Sequence, residues 1–240
     1  MRIAAKTLLC SSIAIAMTLP ASADEAKGQI MTTLPDGRLV IVTAVNANVI
    51  KVTNLPAGES PLQSRATVDA SARFDGAITH GTDVTSMTTS TGIKATLNNN
   101  NGAVTVSAGP GKSINDSGER LLKDGKRELM LATDGTGSFY GGGERGHKIN
   151  LAGDTLVMYN KQNYGYVKGE SRISQMNITM PLFLSSNGYA ILFDDYAAAE
   201  VILGNPIKYI SESPAPISYY YIYGDGTMKG LTEAVSQLTG

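Results

Sequence analysis

Apolar residues at a spacing of two, broken at short intervals by turn residues, dominate most of the chain. Arg38-Leu-Val-Ile-Val-Thr43 is a β-branched run entered through the turn triplet Pro35-Asp36-Gly37. In Asn48-Val-Ile-Lys-Val-Thr53, Val49, Lys51 and Thr53 alternate with Ile50 and Val52, as a half-buried strand requires. Gly92-Ile-Lys-Ala-Thr-Leu97 and Ala103-Val-Thr-Val-Ser107 flank the polar stretch Asn98 to Gly102, and Asn-Gly tolerates the positive φ of a tight hairpin. Further strands are predicted at Leu129–Thr133, Asp154–Tyr159, Met180–Ser185, Tyr189–Asp194 and Ile217–Tyr223. This spacing predicts an all-β fold, a sandwich or a barrel. The polar stretch from Ala57 to Ser90 reads as long loops or an irregular strand pair. Only the last segment changes period: Leu231, Val235 and Leu238 fall at helical spacing, with Lys229 and Glu233 on the opposite face. A helix there is expected to pack on a sheet edge or to lead into another domain.

The opening residues carry a different pattern. Arg2 and Lys6 precede the apolar stretch Leu8 to Leu19, and Ala21-Ser22-Ala23 is a small-residue cleavage pattern. Residues 1–23 therefore read as a cleavable signal peptide, with a secreted or periplasmic mature chain that keeps no membrane segment. Its Cys10 is the single cysteine of the 240 residues, so the mature chain would hold no disulfide, Cys-ligated metal or thiol nucleophile. With His80 and His147 as the two histidines, a multi-His metal site is also excluded, and no cofactor is indicated. Twenty Lys and Arg against 21 Asp and Glu, with no basic block, exclude a polybasic grip on nucleic acid.

Few motifs point to chemistry. Gly141-Gly-Gly143-Glu-Arg-Gly146 spells G-x-G-x-x-G, but a dinucleotide site needs a helix to leave the motif, and Gly153 with the strand after it leaves no room. The motif reads instead as a surface loop. Asp194-Asp195 cannot be a catalytic pair within one strand, because successive side chains point to opposite faces. Glu144 and Asp154 lie in loops whose convergence the sequence does not establish, and no G-x-S-x-G elbow accompanies the histidines. The most informative stretch is Tyr159-Asn-Lys-Gln-Asn-Tyr-Gly-Tyr166. Tyrosine rings offer flat apolar faces with a polar tip, and Asn and Gln amides both donate and accept hydrogen bonds. That chemistry suits a sugar ring. Tyr159, Asn160, Gln162, Tyr164 and Tyr166 are the candidate binding residues, and the alternative is a tyrosine-rich loop packed on its own sheets.

Beyond these local signals, Phe139-Tyr-Gly-Gly-Gly-Glu-Arg-Gly146, Met158-Tyr-Asn160, the run Met180 to Asp195, Tyr219-Tyr-Tyr-Ile-Tyr-Gly224 and Leu238-Thr-Gly240 occur in an order that resembles the N-terminal domain of glycoside hydrolase family 31. The resemblance covers residues 139–240 well and 37–110 loosely. It implies a galactose mutarotase-like antiparallel β-sandwich over residues 24–225, followed by a short C-terminal helix at 226–240. It also implies that the sandwich lends its loop at Leu156–Tyr166 to the substrate pocket of a (β/α)₈ barrel beginning after Leu-Thr-Gly. In the family the catalytic aspartates lie in that barrel, so the chain alone is expected to be inactive. The implied ligand is an α-linked oligosaccharide, and the loop looks closer to members that transfer α-1,4-glucosyl units. A stand-alone secreted carbohydrate-binding module is the alternative.

Overall fold

The structure is a computed structural model that describes residues 28–61, 63–68, 74–134, 136–146, 148–160 and 178–240. In chain order the first half forms β1 (Gln29–Thr33), β2 (Leu39–Asn46), β3 (Val49–Leu55), β4 (Ala77–His80), β5 (Val84–Thr88), β6 (Lys94–Asn98), β7 (Val104–Ser107) and β8 (Ser113–Leu121). The second half forms β9 (Arg127–Thr133), β10 (Phe139–Gly143), β11 (Thr155–Met158), β12 (Thr179–Ser185), β13 (Tyr189–Asp194), β14 (Ala199–Leu203), β15 (Ile207–Ser211), β16 (Ser218–Tyr223) and the helix α1 (Met228–Thr239). Every strand pairing is antiparallel. Two sheets result: a seven-stranded one in the order β1-β2-β3-β16-β13-β12-β10, and a nine-stranded one in the order β11-β14-β15-β9-β8-β7-β6-β5-β4. This is the antiparallel β-sandwich expected from the sequence.

The main core lies between the sheets. Val42, Ile50 and Val52 from the smaller sheet meet Leu97, Val106, Leu129 and Leu131 from the larger one, all buried in one cluster. The period of two is visible in β13 and β16: Tyr189, Ile191, Phe193, Tyr219 and Tyr221 point inward, while Ala190, Leu192, Tyr220 and Ile222 point outward. Inside, Phe193 stacks on Tyr209 at 4.2 Å and Tyr189 on Tyr221 at 5.4 Å between ring centroids.

Because these two central strands are apolar on both faces, the outer face needs a cover, and α1 provides it. Leu231, Ala234 and Leu238 bury against Val49, Ala190, Leu192, Tyr220 and Ile222. Each leucine so buried contributes roughly 1.5–3 kcal/mol. The helix starts at Thr227, whose Oγ1 accepts from Gly230 N–H at 3.0 Å, the bond that makes threonine a good N-cap. It therefore packs on the centre of a sheet face and not on an edge, since the edge strands offer no comparable apolar face.

Other departures from the sequence reading are local. Gly141–Gly143 is not a surface loop: it lies inside β10, paired to β12 with a register shift between Gly141 and Gly143. All three glycines have positive φ, and a Cβ on Gly143 would stand 2.3 Å from the Ile178 carbonyl oxygen, so the bulge and the close approach both require glycine. The polar stretch from Ala57 to Ser90 does hold a strand pair, one of the two forms expected of it: the hairpin β4–β5. β1, β8, β14 and β15 go unmarked in the sequence reading. Among the described residues no helix is long and apolar enough to cross a membrane. The signal-peptide residues 1–23 lie outside the described residues.

Candidate functional site

The candidate site is built where β11, β12 and β13 end beside α1. β11 is the edge strand of the larger sheet, and Tyr159 and Asn160 leave its last residue, Met158. Chemistry local to the glycine run fixes that exit. Arg145 donates from Nε to Gly142 O at 3.0 Å and from Nη2 to Val157 O at 3.1 Å, so one guanidinium ties the bulge of β10 to the end of β11. Glu144 N–H donates to Ile178 O at 2.8 Å on the incoming side of β12. Asn160 Oδ1 then accepts from both Thr179 N–H at 2.7 Å and Thr179 Oγ1 at 3.0 Å. Asn160 is thereby clasped to the start of β12, and its side chain keeps its amide NH₂ for a ligand.

Tyr159 and Asn160 both border a cleft of about 620 Å³. Its wall of Met180, Pro181 and Leu182 comes from β12, Val235 and Thr239 from α1, and Asp194 to Ala198 from the turn after β13. Tyr159 is 54% exposed and also borders a second cleft of about 460 Å³ on the side of Val157 and Glu200. Two exposed neighbours, Tyr196 at 51% and Met180 at 50%, add apolar surface to the larger cleft. The other candidate residues, Gln162, Tyr164 and Tyr166, lie outside the described residues.

The two aspartates after β13 point apart, as strand geometry demands. Asp194 is 7% exposed on the outer face and accepts from Tyr196 OH at 2.8 Å, Ser64 Oγ at 3.0 Å, and Lys51 Nζ and Tyr220 OH at 3.2 Å each. Lys51 also sits over the Tyr220 ring, 5.0 Å from its centroid. Burial opposes the Lys51 charge, but Tyr220 and Asp194 outweigh it and hold the ammonium pKa above its ordinary value. Asp195 turns the other way: its Oδ2 accepts from Tyr209 OH at 3.2 Å and its Oδ1 from Ala197 N–H at 3.1 Å. Burial, and next the Asp195 charge, push the Tyr209 phenol pKa up, so that hydroxyl keeps its proton and donates. Neither Tyr196 nor Asp195 was singled out as a ligand-facing residue by the sequence. The available signal was an aromatic residue directly after a strand-ending carboxylate pair.

Of the two loop carboxylates, Asp154 pairs with Lys148 at 2.8 Å, and Glu144 holds Ile178, the residue before β12, through its backbone N–H. His147 lies outside the described residues.

Comparisons with known proteins agree with this architecture. Residues 39–201 match the model of the glycosyl hydrolase 31 N-terminal galactose mutarotase-like domain. An α-xylosidase of Saccharolobus solfataricus is 32% identical over 103 residues, which is 41% of this chain and 14% of that protein. Among solved structures, a family 31 dextranase of Flavobacterium johnsoniae, complexed with glucose, superposes with a TM-score of 0.74 at 18% identity over 89% of this chain and 27% of its own. A family 31 α-xylosidase from a soil metagenome, complexed with xylose, gives 0.72 at 18% identity over 89% of this chain and 34% of its own. The chain thus spans about a third or less of the length of these relatives. With the family model covering more than half of its residues and the sandwich matching in topology, the chain belongs to the glycosyl hydrolase 31 N-terminal galactose mutarotase-like domain family.

Proposed function

We propose that this chain is the pocket-completing, carbohydrate-binding part of a retaining glycoside hydrolase or transglucosylase acting on α-glucosides or α-xylosides. In this reading residues 24–225 form the sandwich and residues 226–240 lead toward a (β/α)₈ barrel. The barrel supplies the nucleophile and the acid/base, which work by double displacement with two carboxyl groups about 5–5.5 Å apart. The sandwich supplies a wall of the sugar pocket through Tyr159, Asn160, Gln162, Tyr164 and Tyr166. The protein is exported, with residues 1–23 as its signal.

The observation that carries this reading is the placement of Tyr159 and Asn160 at the rim of the 620 Å³ cleft, with Tyr159 half exposed and Asn160 clasped to Thr179. A loop packed beneath its own sheets would bury that ring. The test expresses the chain together with the coding sequence that continues after Gly240 and assays p-nitrophenyl α-glucoside and α-xyloside. Activity with retention, and a raised KM in Tyr159→Ala, are expected. A continuation that encodes no barrel overturns the reading. The cleft is formed by this chain's own residues, which favours a stand-alone binding module as the second reading. Tight binding of maltose or isomaltose by the isolated chain, joined to no catalytic domain in its gene, would establish it.

A further inference from the structure

We propose that Asp195 is the polar anchor of the 620 Å³ cleft, accepting hydroxyl hydrogen bonds from an α-linked gluco-oligosaccharide whose apolar face lies on Tyr159 and Tyr196. This rests on the carbohydrate-binding reading above and assigns the residue that would hold the sugar in this cleft.

The argument begins with lone pairs. A carboxylate offers about four acceptor positions. Asp194 has filled its four with Tyr196, Ser64, Lys51 and Tyr220, and its charge is neutralised by Lys51. Asp195 accepts one bond on each oxygen, from Ala197 N–H and Tyr209 OH, which leaves one position on each. Among the described residues no lysine or arginine pairs with it, and it is half-buried in the cleft lining. Its two existing bonds lock the side-chain orientation, so the free positions are held in place before any ligand arrives. Such preorganisation spares a ligand part of the ordering cost of binding.

The chemistry then selects the ligand. An unneutralised carboxylate repels anions and favours donors. Among the described residues no group of three metal-ligating side chains converges, so a cation would find too few oxygen ligands. Two adjacent hydroxyls can each donate to one Asp195 oxygen. The rest of the lining is mostly apolar and carries two half-exposed aromatic rings, Tyr159 and Tyr196, which suit the C–H faces of a pyranose. The Asn160 NH₂, left over from its clasp on Thr179, is a donor at the same rim. One carboxylate, one amide and two rings around an apolar floor recognise a neutral polyol with flat faces.

The experiment titrates the chain with isomaltotriose and with maltotriose by calorimetry, for the parent, Asp195→Asn and Tyr209→Phe, with thermal unfolding recorded for each. Asparagine keeps the shape but loses the charge and one acceptor, so affinity for whichever trisaccharide binds should fall at least about tenfold, given the strength of bonds to charged acceptors. Tyr209→Phe leaves the carboxylate and its Ala197 bond but removes one of the two bonds that orient it, so its loss of affinity should be clearly smaller than that of Asp195→Asn. Parent-like affinity in Asp195→Asn overturns the inference while leaving the carbohydrate-binding reading intact. Equal losses in both variants overturn it too, since the carboxylate would then act only through the fold. If the parent binds neither trisaccharide, the inference falls, and the reading of the whole enzyme is decided separately by the activity assay on the extended protein.

Discussion

The fully buried Asp116 makes stability depend on pH in a direction opposite to that of a salt-bridged carboxylate. It points into the sandwich from β8, 2% exposed, accepting from Gly118 N–H at 2.7 Å and from Asn54 Nδ2 at 3.2 Å, with the Tyr219 phenol beside it. Burial raises its pKa from the ordinary 3.8 to about 6, against the opposing pull of the hydrogen bonds from Gly118 and Asn54. Because the folded value exceeds the unfolded one, the stability tied to its neutral form is fully present below about pH 4 and is lost as pH rises through about 6. Two pH units of separation correspond to about 3 kcal/mol. Asp116→Asn removes the ionisation and preserves shape. It keeps one oxygen for Gly118 N–H and offers an NH₂ group toward Asn54 Oδ1, which meets no donor among the described residues. Urea unfolding of both proteins between pH 4 and pH 8 reads the effect as a difference that cancels every other titrating group except Glu119, which the Asp116 charge also perturbs. The variant should match the parent near pH 4 and exceed it by about 3 kcal/mol at pH 7. A difference that stays constant across this range would show that Asp116 does not titrate in the fold as argued.

Three further variants test the packing. Asp194→Ala leaves the Lys51 ammonium and the buried Tyr220 hydroxyl without their acceptor, and should cost about 3–5 kcal/mol in urea unfolding at pH 7; a loss under 1 kcal/mol would mean the hub is not coupled to stability. In the same variant the fall in stability that the raised Lys51 pKa produces above the usual lysine range should shrink in the alkaline unfolding profile, since Asp194 is one of its two causes beside Tyr220. Leu231→Ala, at a position with 0% exposure under α1, should cost about 2–5 kcal/mol, and an unchanged urea midpoint would show that the helix is not part of the cooperative fold. Gly143→Ala forces a Cβ against the Ile178 carbonyl at a φ of +95° and should lower stability by more than about 1 kcal/mol; an unaltered Tm would contradict the bulge geometry.

Strands whose inward face is apolar and whose turns are punctuated by Gly, Asn or Pro were readable directly: β2, β3, the β6–β7 hairpin, β13 and β16 fall within a residue or so of their expected limits, apart from the longer C-terminal reach of β2 and β3. The helix was readable from its period of Leu231, Val235 and Leu238, but its seat was not. That seat depends on Tyr220 and Ile222 pairing beside Leu192 and Ala190, a long-range register that no local window contains. β8 hid because its inward positions include Asp116, a polar residue where a pattern of burial expects an apolar one. β10 hid because its glycines, which read as loop, serve a bulge and a close backbone contact. β4 and β5 are rich in Thr and Ser, and β4 is an edge strand of the larger sheet, paired on one side only.

The site divides the same way. Tyr159 and Asn160 stood out through residue chemistry, and both border the cleft. The clasp role of Asn160 was invisible, since its partner Thr179 is 19 residues away. Asp195 and Tyr196 join the site only because β13 lies next to β12, so that the turn after β13 comes up beside the stem of the Tyr159 loop. Chemistry was legible in sequence; convergence was not.

The decisive measurement is a crystal structure of the full gene product soaked with an α-linked trisaccharide such as isomaltotriose. A glucosyl unit bounded on one side by barrel carboxylates and on the other by the Tyr159–Tyr166 turn is the expected result. A sugar bound and processed with that turn remote from it would contradict the account.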